Sequence, residues 1–271
     1  MLPARTHFVD LQDARVLSSY QPKGSTVGPR ASCIPLCKLT EARKVAPDMA
    51  VALVALHEAI TAAGGDFRVT DGGRSFDMQL EGRLKYEIWL AAGKPARGST
   101  KWASNMKDAF VAMPGESFHN AGRSIDVFLA ELEFPVVAPD KQLDKLWELA
   151  IPLGWRPIVA APDENAKEAW HFDFMGEWRP VYDRLGYAAA AMCAALDLGL
   201  GEEVFDHASG RALQAQLHRA GYDVGKVDGI IGKNTKRALA VAMLPETITD
   251  PAALFGLPSS AVPIWTFRSP L

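Results

Sequence analysis

The sequence predicts an α+β fold: a small antiparallel sheet with flanking helices, joined to a small C-terminal all-helical bundle. Three observations predict it. Short extended stretches are interspersed with longer helical patterns, as in mixed layers built on short strands. Net charge and motif type both change after Gly199-Leu200-Gly201. A length of 271 residues is long for one compact core but comfortable for one medium domain plus one small one.

Taken in order, residues 1–46 are rich in turn formers such as Gln21-Pro22-Lys23-Gly24-Ser25 and read as an irregular lead-in. An apolar helical pattern runs from Met49 to Ala63, with Asp48 as its expected N-cap and Gly64-Gly65 ending it. Phe67–Thr70 is a strand candidate stopped by Asp71-Gly72-Gly73, and Ser75 opens a second helix through about Ala92. Residues 94–118 form a long polar connection with a short helix expected near Met106; long connections of this kind are often functional. Ser124–Leu129 reads as a strand, Asp140–Ile151 as a helix, Ala169–Phe174 as a strand, and Trp178–Leu196 as a helix broken or bent near Gly186. The expected division is 1–200, 201–245 and a tail over 246–271. The glycine-marked junction implies that neither of the first two units needs the other.

Composition narrows the function classes. Hydrophobic residues at 48% and charged residues at 23% exclude disorder as the main state. A net charge of -3 gives no whole-chain signal for nucleic acid, and no apolar run approaches the roughly 20 residues needed to span a bilayer. Met1 to His7 lacks a basic start followed by an apolar core, so no secretory signal is expected. The cysteines, Cys33, Cys37 and Cys193, are too few for a disulfide framework. Cys33 and Cys37 read as small apolar residues near a turn, or as a local disulfide.

Two segments carry chemistry. Ser117-Phe118-His119-Asn120-Ala121-Gly122-Arg123-Ser124-Ile125-Asp126 offers an imidazole and a carboxylate seven residues apart. A turn at Asn120–Gly122 would set His119 just before a strand that contains Asp126. Glu168-Ala169-Trp170-His171 adds a second imidazole with a carboxylate three residues before it. Two His and one carboxylate leave a fourth position open, which is the arrangement of a catalytic zinc site. A regular strand would aim Glu168 and His171 to opposite faces, so Glu168 is expected in the loop before the strand.

The joint pattern resembles the zinc DD-peptidase family: D-alanyl-D-alanine carboxypeptidases and dipeptidases, and the related L-alanyl-D-glutamate endopeptidases. Their signature, S-x-H-x-x-G-x-A-x-D followed by E-x-W-H, stands here as Ser117, His119, Gly122, Ser124, Asp126, then Glu168, Trp170 and His171, with Ser124 in place of alanine. The resemblance spans roughly residues 45–190. It implies that His119, Asp126 and His171 hold Zn²⁺ and that Glu168 takes a proton from the attacking water and passes it to the leaving amine. The family's arginine turn before a helix corresponds to Arg74 in Asp71-Gly72-Gly73-Arg74-Ser75, with Gln79 downstream and Gly73 replacing an aromatic. Arg74 would then stabilise the oxyanion or hold a substrate carboxylate, with Gln79 beside it. Ser117 either hydrogen-bonds near the site or caps the turn, and Trp170 is expected to pack.

Residues 206–245 carry six Lys/Arg against three Asp, a net +3 opposite in sign to the whole chain. Leu213, Gln214, Leu217, Gly221, Tyr222, Gly225, Val227, Asp228, Gly229, Gly232, Thr235, Ala238 and Leu239 make this stretch similar to the type 1 peptidoglycan-binding domain. Together the two resemblances imply a peptidoglycan peptidase, a monomer that needs Zn²⁺, binds no nucleic acid and acts on the cell wall in the periplasm or outside the cell. A phage endolysin or a delivered effector would fit the absent signal. Carboxypeptidase and endopeptidase remain open, with Ser117-Phe118-His119-Asn120 leaning to the endopeptidase branch. The alternatives are a catalytically silent wall-binding protein and a zinc peptidase acting on other peptides.

Overall fold

The computed structural model describes residues 6–20, 41–108, 110–199 and 208–244. Cys33, Cys37, the turn-rich Gln21–Ser25 stretch and the tail over 246–271 lie outside the described residues. Among the described residues, no helix is long and apolar enough to cross a membrane.

The lead-in is more regular than its composition suggests. Strand β1 (Val9–Asp10) pairs antiparallel with β2 (Lys44–Val45). Between them helix α1 (Ala14–Ser18) begins on Asp13, whose carboxylate accepts from the Arg15 and Val16 amides. Helix α2 is Pro47–Ala62, and its N-cap is Ala46, not Asp48. Proline is favoured at the first helical position because the amide it lacks has no partner there. Asp48, one position inside, accepts instead from Arg123 Nη1 at 2.9 Å. Met49, Ala52, Leu53, Leu56 and Ile60 bury one stripe of α2.

The main sheet has strand order β3-β4-β6-β5, all antiparallel: β3 (Val69–Asp71), β4 (Ser124–Val127), β5 (Trp155–Pro157) and β6 (His171–Phe174). Strands alternate faces, so the central pair divides cleanly. Ile125, Val127, Phe172 and Phe174 join the core with α2 and helix α4 (Gln142–Ala150). Ser124, Asp126, His171 and Asp173 line the other face, with Ser124 opposite Asp173 and Asp126 opposite His171. Helix α3 (Phe76–Ala91) is capped by Ser75, whose hydroxyl accepts from the Met78 amide, as expected. The connection over 94–118 forms no helix near Met106; among its described residues it runs as turns along α3. Arg83 donates to the Val111 carbonyl and Gln79 to that of Ala112.

The break expected near Gly186 is present: the stretch forms two helices, α5 (Arg179–Leu185) and α6 (Tyr187–Asp197), separated by Gly186 with φ of 83°. The module contributes α7 (Ala208–Arg219) and α8 (Lys233–Val241). Gln214 ties it together: its amide nitrogen donates to Asp228, the Ile230 carbonyl and Thr235, and its oxygen accepts from the Gly229 amide. These motif residues therefore specify the bundle.

The two parts, expected as separate units, pack against each other. Leu213, Leu217, Val224 and Leu239 of the module share one apolar cluster with Phe118, Ala121, Trp178 and the α6 residues Ala190–Ala194 and Leu196. Helix α6 is apolar on nearly every side, and such a helix is buried all round. Phe118, Ala121, Met175 and Trp178 pack with it, and helix α7 covers another side.

Candidate metal centre

Each potential ligand is placed by local structure. Asp126 and His171 are cross-strand partners in β4 and β6, so pairing alone brings their Cβ atoms to roughly 4.5–5.5 Å. His119 lies in the turn before β4, where the Asn120 and Ala121 amides return to the carbonyls of Ser117 and Phe118. Gly122 closes that turn with φ of 60°, and a Cβ there would meet Phe8 and the Val45 backbone at 2.8 Å. The glycine of the signature is thus required twice, by conformation and by space.

One donor atom from each of His119, Asp126 and His171 lies within 4.8 Å of the others. The backs of both imidazoles are fixed. His119 Nδ1 donates to the Gly72 carbonyl at 2.6 Å, leaving Nε2 at 3.2 Å from Asp126 Oδ1. His171 Nε2 donates to Asp173 Oδ1 at 2.8 Å, leaving Nδ1 at 2.9 Å from the same Asp126 oxygen. With the outer nitrogens protonated, neutral rings would point two lone pairs at a carboxylate, which is repulsive. A proton or a cation must sit among the three atoms, and the donor set fits a divalent metal with its ring-orienting partners in place. Without a metal the proton is held tightly. Burial lowers the His171 pKa, but Asp173 and Asp126 outweigh it and push the ring to about 10. Burial raises the Asp126 pKa, yet the two imidazoles hold the carboxyl far below its usual range.

The sequence reading did not single out Asp173. It is fully buried behind His171, away from the cavity, and accepts from Ser124 Oγ at 2.5 Å. Ser124, the departure from the alanine of the signature, thus gives this buried carboxylate a donor. The available signal was the two-residue period linking His171 to Asp173 and Asp126 to Ser124.

Glu168 lies in the loop before β6, as expected. Its φ is 67°, a left-handed conformation that costs a non-glycine residue about 1–3 kcal/mol. The Glu168 carbonyl accepts from the His171 amide at 3.0 Å, which helps hold the turn. Its carboxyl lines the same cavity of about 560 Å³ as the three cluster residues, and burial together with the Asp126 charge raises its pKa.

Arg74, Gln79, Ser117 and Trp170 also line this cavity. The Arg74 guanidinium is bonded to Asp71 and, at 2.8 Å, to Gln79 Oε1. Burial works against its charge, but Asp71 and Asp126 outweigh it and keep the group firmly protonated. Gln79 is buried with its amide spent on Arg74 and the Ala112 carbonyl, so it braces the arginine and the long loop together. Ser117 Oγ accepts from the His119 amide at 3.4 Å. Gly73 stands where the family has an aromatic because a Cβ there would meet the Lys44 carbonyl oxygen at 2.2 Å. Tyr187, which the sequence reading did not single out, enters the cavity from the start of α6, with its hydroxyl 3.4 Å from His171 Nε2.

Comparison with known proteins agrees with these features. The VanY family model, D-alanyl-D-alanine carboxypeptidase, matches residues 42–177, and a model for a peptidoglycan binding domain matches residues 207–241. No curated protein matches the chain. Among solved structures it is similar to VanYB in complex with D-alanine-D-alanine, at 21% identity over 57% of this chain and 81% of that one, TM-score 0.36. It is also similar to a mutant of the vancomycin resistance D,D-pentapeptidase VanY in complex with Zn(II), at 21% identity over 59% and 82%, TM-score 0.35. The LdcB LD-carboxypeptidase follows at 20% identity over 58% and 67%, TM-score 0.33.

Proposed function

Because the chain belongs to the VanY-type D-alanyl-D-alanine carboxypeptidase family and carries a peptidoglycan-binding domain, we propose that it is a zinc-dependent peptidase cutting stem or cross-link peptides of peptidoglycan. The observation that carries this reading is the convergence of His119, Asp126 and His171 on one cavity that also receives Glu168. In this reading those three residues hold Zn²⁺. When bound, zinc supplies a Lewis-acid centre that acidifies water and polarises a carbonyl. Glu168 takes a proton from the attacking water and returns it to the leaving amine nitrogen. Its raised pKa suits it to both transfers. Gly72 and Asp173 hold the two rings in the tautomers that present a lone pair inward.

Arg74 supports the carboxypeptidase form of the reaction. It is a protonated guanidinium on the cavity wall, braced by Asp71 and Gln79 and able to receive a C-terminal carboxylate. Under this reading Ser117 and Gln79 act through the turn and through Arg74. The peptidase part comprises 1–200, the wall-binding module 201–245 and the tail 246–271. The chain acts as a monomer on the wall, in the periplasm or outside the cell. Two measurements test this. Elemental analysis should give one zinc per chain, lost in His119→Ala and His171→Ala. Mass spectrometry of muropeptides should show loss of a terminal alanine. Full zinc in His171→Ala would remove the metal assignment. Zinc without any peptide product would favour a silent wall-binding protein, and cleavage inside the stem would favour the endopeptidase.

A further inference from the structure

We propose that the open groove between the C-terminal module and α5 is a second stem-peptide subsite, taking a carboxylate-bearing peptide with small apolar side chains. This rests on the wall-peptidase reading above. The groove measures about 550 Å³, close to the 560 Å³ of the cavity at the metal centre. Its floor is already satisfied, with Gln214 and Thr235 buried and bonded to each other. The Asp228 carboxylate in the lining is spent on the Ile230 amide and Gln214.

The rim is different. Lys226 and Lys233 are exposed and form no ion pair with a described residue. Ile230 stands 63% exposed beside them. Free ammonium groups next to a bare branched aliphatic side chain match a ligand that carries carboxylates and methyl groups together, such as a peptide of alanine and glutamate. A neutral glycan offers the ammonium groups no charge to pair with.

The opposite wall is Arg184 and Leu185, which belong to α5 and not to the module. Arg184 is held by an ion pair with Asp223. Two residues earlier on the same helix, Tyr182 lines the metal-side cavity. One seven-residue helix therefore lies between the two cavities, and the shared apolar cluster fixes the module against it. A stem held in the groove would set the peptidase at a fixed distance from its anchor, unlike a module on a free tether.

The test uses the full chain with Glu168→Gln, so that the wall is not digested. It combines co-sedimentation with purified sacculi and calorimetric titration with a soluble L-Ala-D-Glu-containing tetrapeptide. Lys226→Glu/Lys233→Glu and Ile230→Ser change exposed side chains and leave the core alone. Each should weaken both kinds of binding on the order of tenfold or more, the expected loss for charge-assisted contacts and apolar cover. The same tetrapeptide with its carboxylates amidated should bind as weakly as the charge-reversed variant does to the free acid. Equal sedimentation of all variants, with the unaltered rim still bound to sacculi, would overturn the groove assignment alone. Equal binding of amidated and free peptide would overturn the carboxylate class. Failure of the unaltered rim to sediment at all would remove the wall-binding reading and this proposal with it.

Discussion

Replacing Leu217 by alanine should weaken the metal centre, although Leu217 belongs to the wall-binding module. Leu217 is fully buried and shares its cluster with Phe118 and Ala121, which flank His119. The module is also joined to the peptidase part by buried polar bonds. Gln216 donates to Asp197 at 2.9 Å, and Arg219 meets Glu177 at 3.4 Å, a few residues beyond β6. Truncating a fully buried leucine costs about 2–5 kcal/mol through lost burial and the cavity left behind. That is a large share of the 5–15 kcal/mol typical of a whole domain. In a cooperative unit of this size each kcal/mol lowers the midpoint by about 2–4 °C, so a fall of about 4–20 °C is expected.

The assay is calorimetry combined with amide hydrogen exchange. A single calorimetric transition should move down, and protection of the His171–Phe174 amides should fall together with that of α7. Cutting the chain at Gly201 should do more, because Ala190–Leu196 would then face water on the side that α7 covers. Two separate transitions, with only the module's moving and the protection of β6 unchanged, would refute the shared core and restore two independent units.

Other expectations follow from the site. Glu168→Gln should retain zinc and fold while turnover falls about 10² to 10⁴-fold, measured on a soluble muropeptide; near-normal turnover would place the base elsewhere. Asp173→Asn should weaken zinc binding about 10- to 100-fold in a chelator competition, with Ser124→Ala changing it in the same direction by less. In the metal-free protein the Glu168 carboxyl should titrate above the ordinary glutamate value of 4.5, because burial and the Asp126 charge favour its neutral form. Its base form is then lost as pH falls through that raised value, and zinc should shift the titration back down, since a nearby cation favours the carboxylate. Carbon-13 NMR of the labelled side chain reads both shifts.

The chemistry was more legible in the sequence than the architecture around it. His119 and His171 could be named because histidine is scarce, with six in the chain, and Asp126 and Glu168 because they stand at short spacing from them. The pairing of β4 with β6 then supplies the convergence that spacing alone could only suggest. Helix starts were legible where a side chain does the capping, as at Ser75, and misread where the backbone decides, as at Pro47 beside Asp48. Gly73 looked like a defect in the arginine turn. Its reason lies about 30 residues earlier, in the Lys44 carbonyl that leaves no room for a Cβ, and no local pattern encodes that approach. The shared core was hidden for a related reason. Gly199-Leu200-Gly201 reads as a boundary in the sequence, but a boundary in the sequence is not a gap in the packing. The clue lay in α6, where Ala188-Ala189-Ala190-Ala191-Met192-Cys193-Ala194-Ala195-Leu196 has no polar face to turn toward water. A helix without a solvent face needs partners on both sides. Phe118, Ala121, Met175 and Trp178 supply one side and the module supplies another, and Tyr187 at the start of that helix lines the cavity of the candidate metal centre.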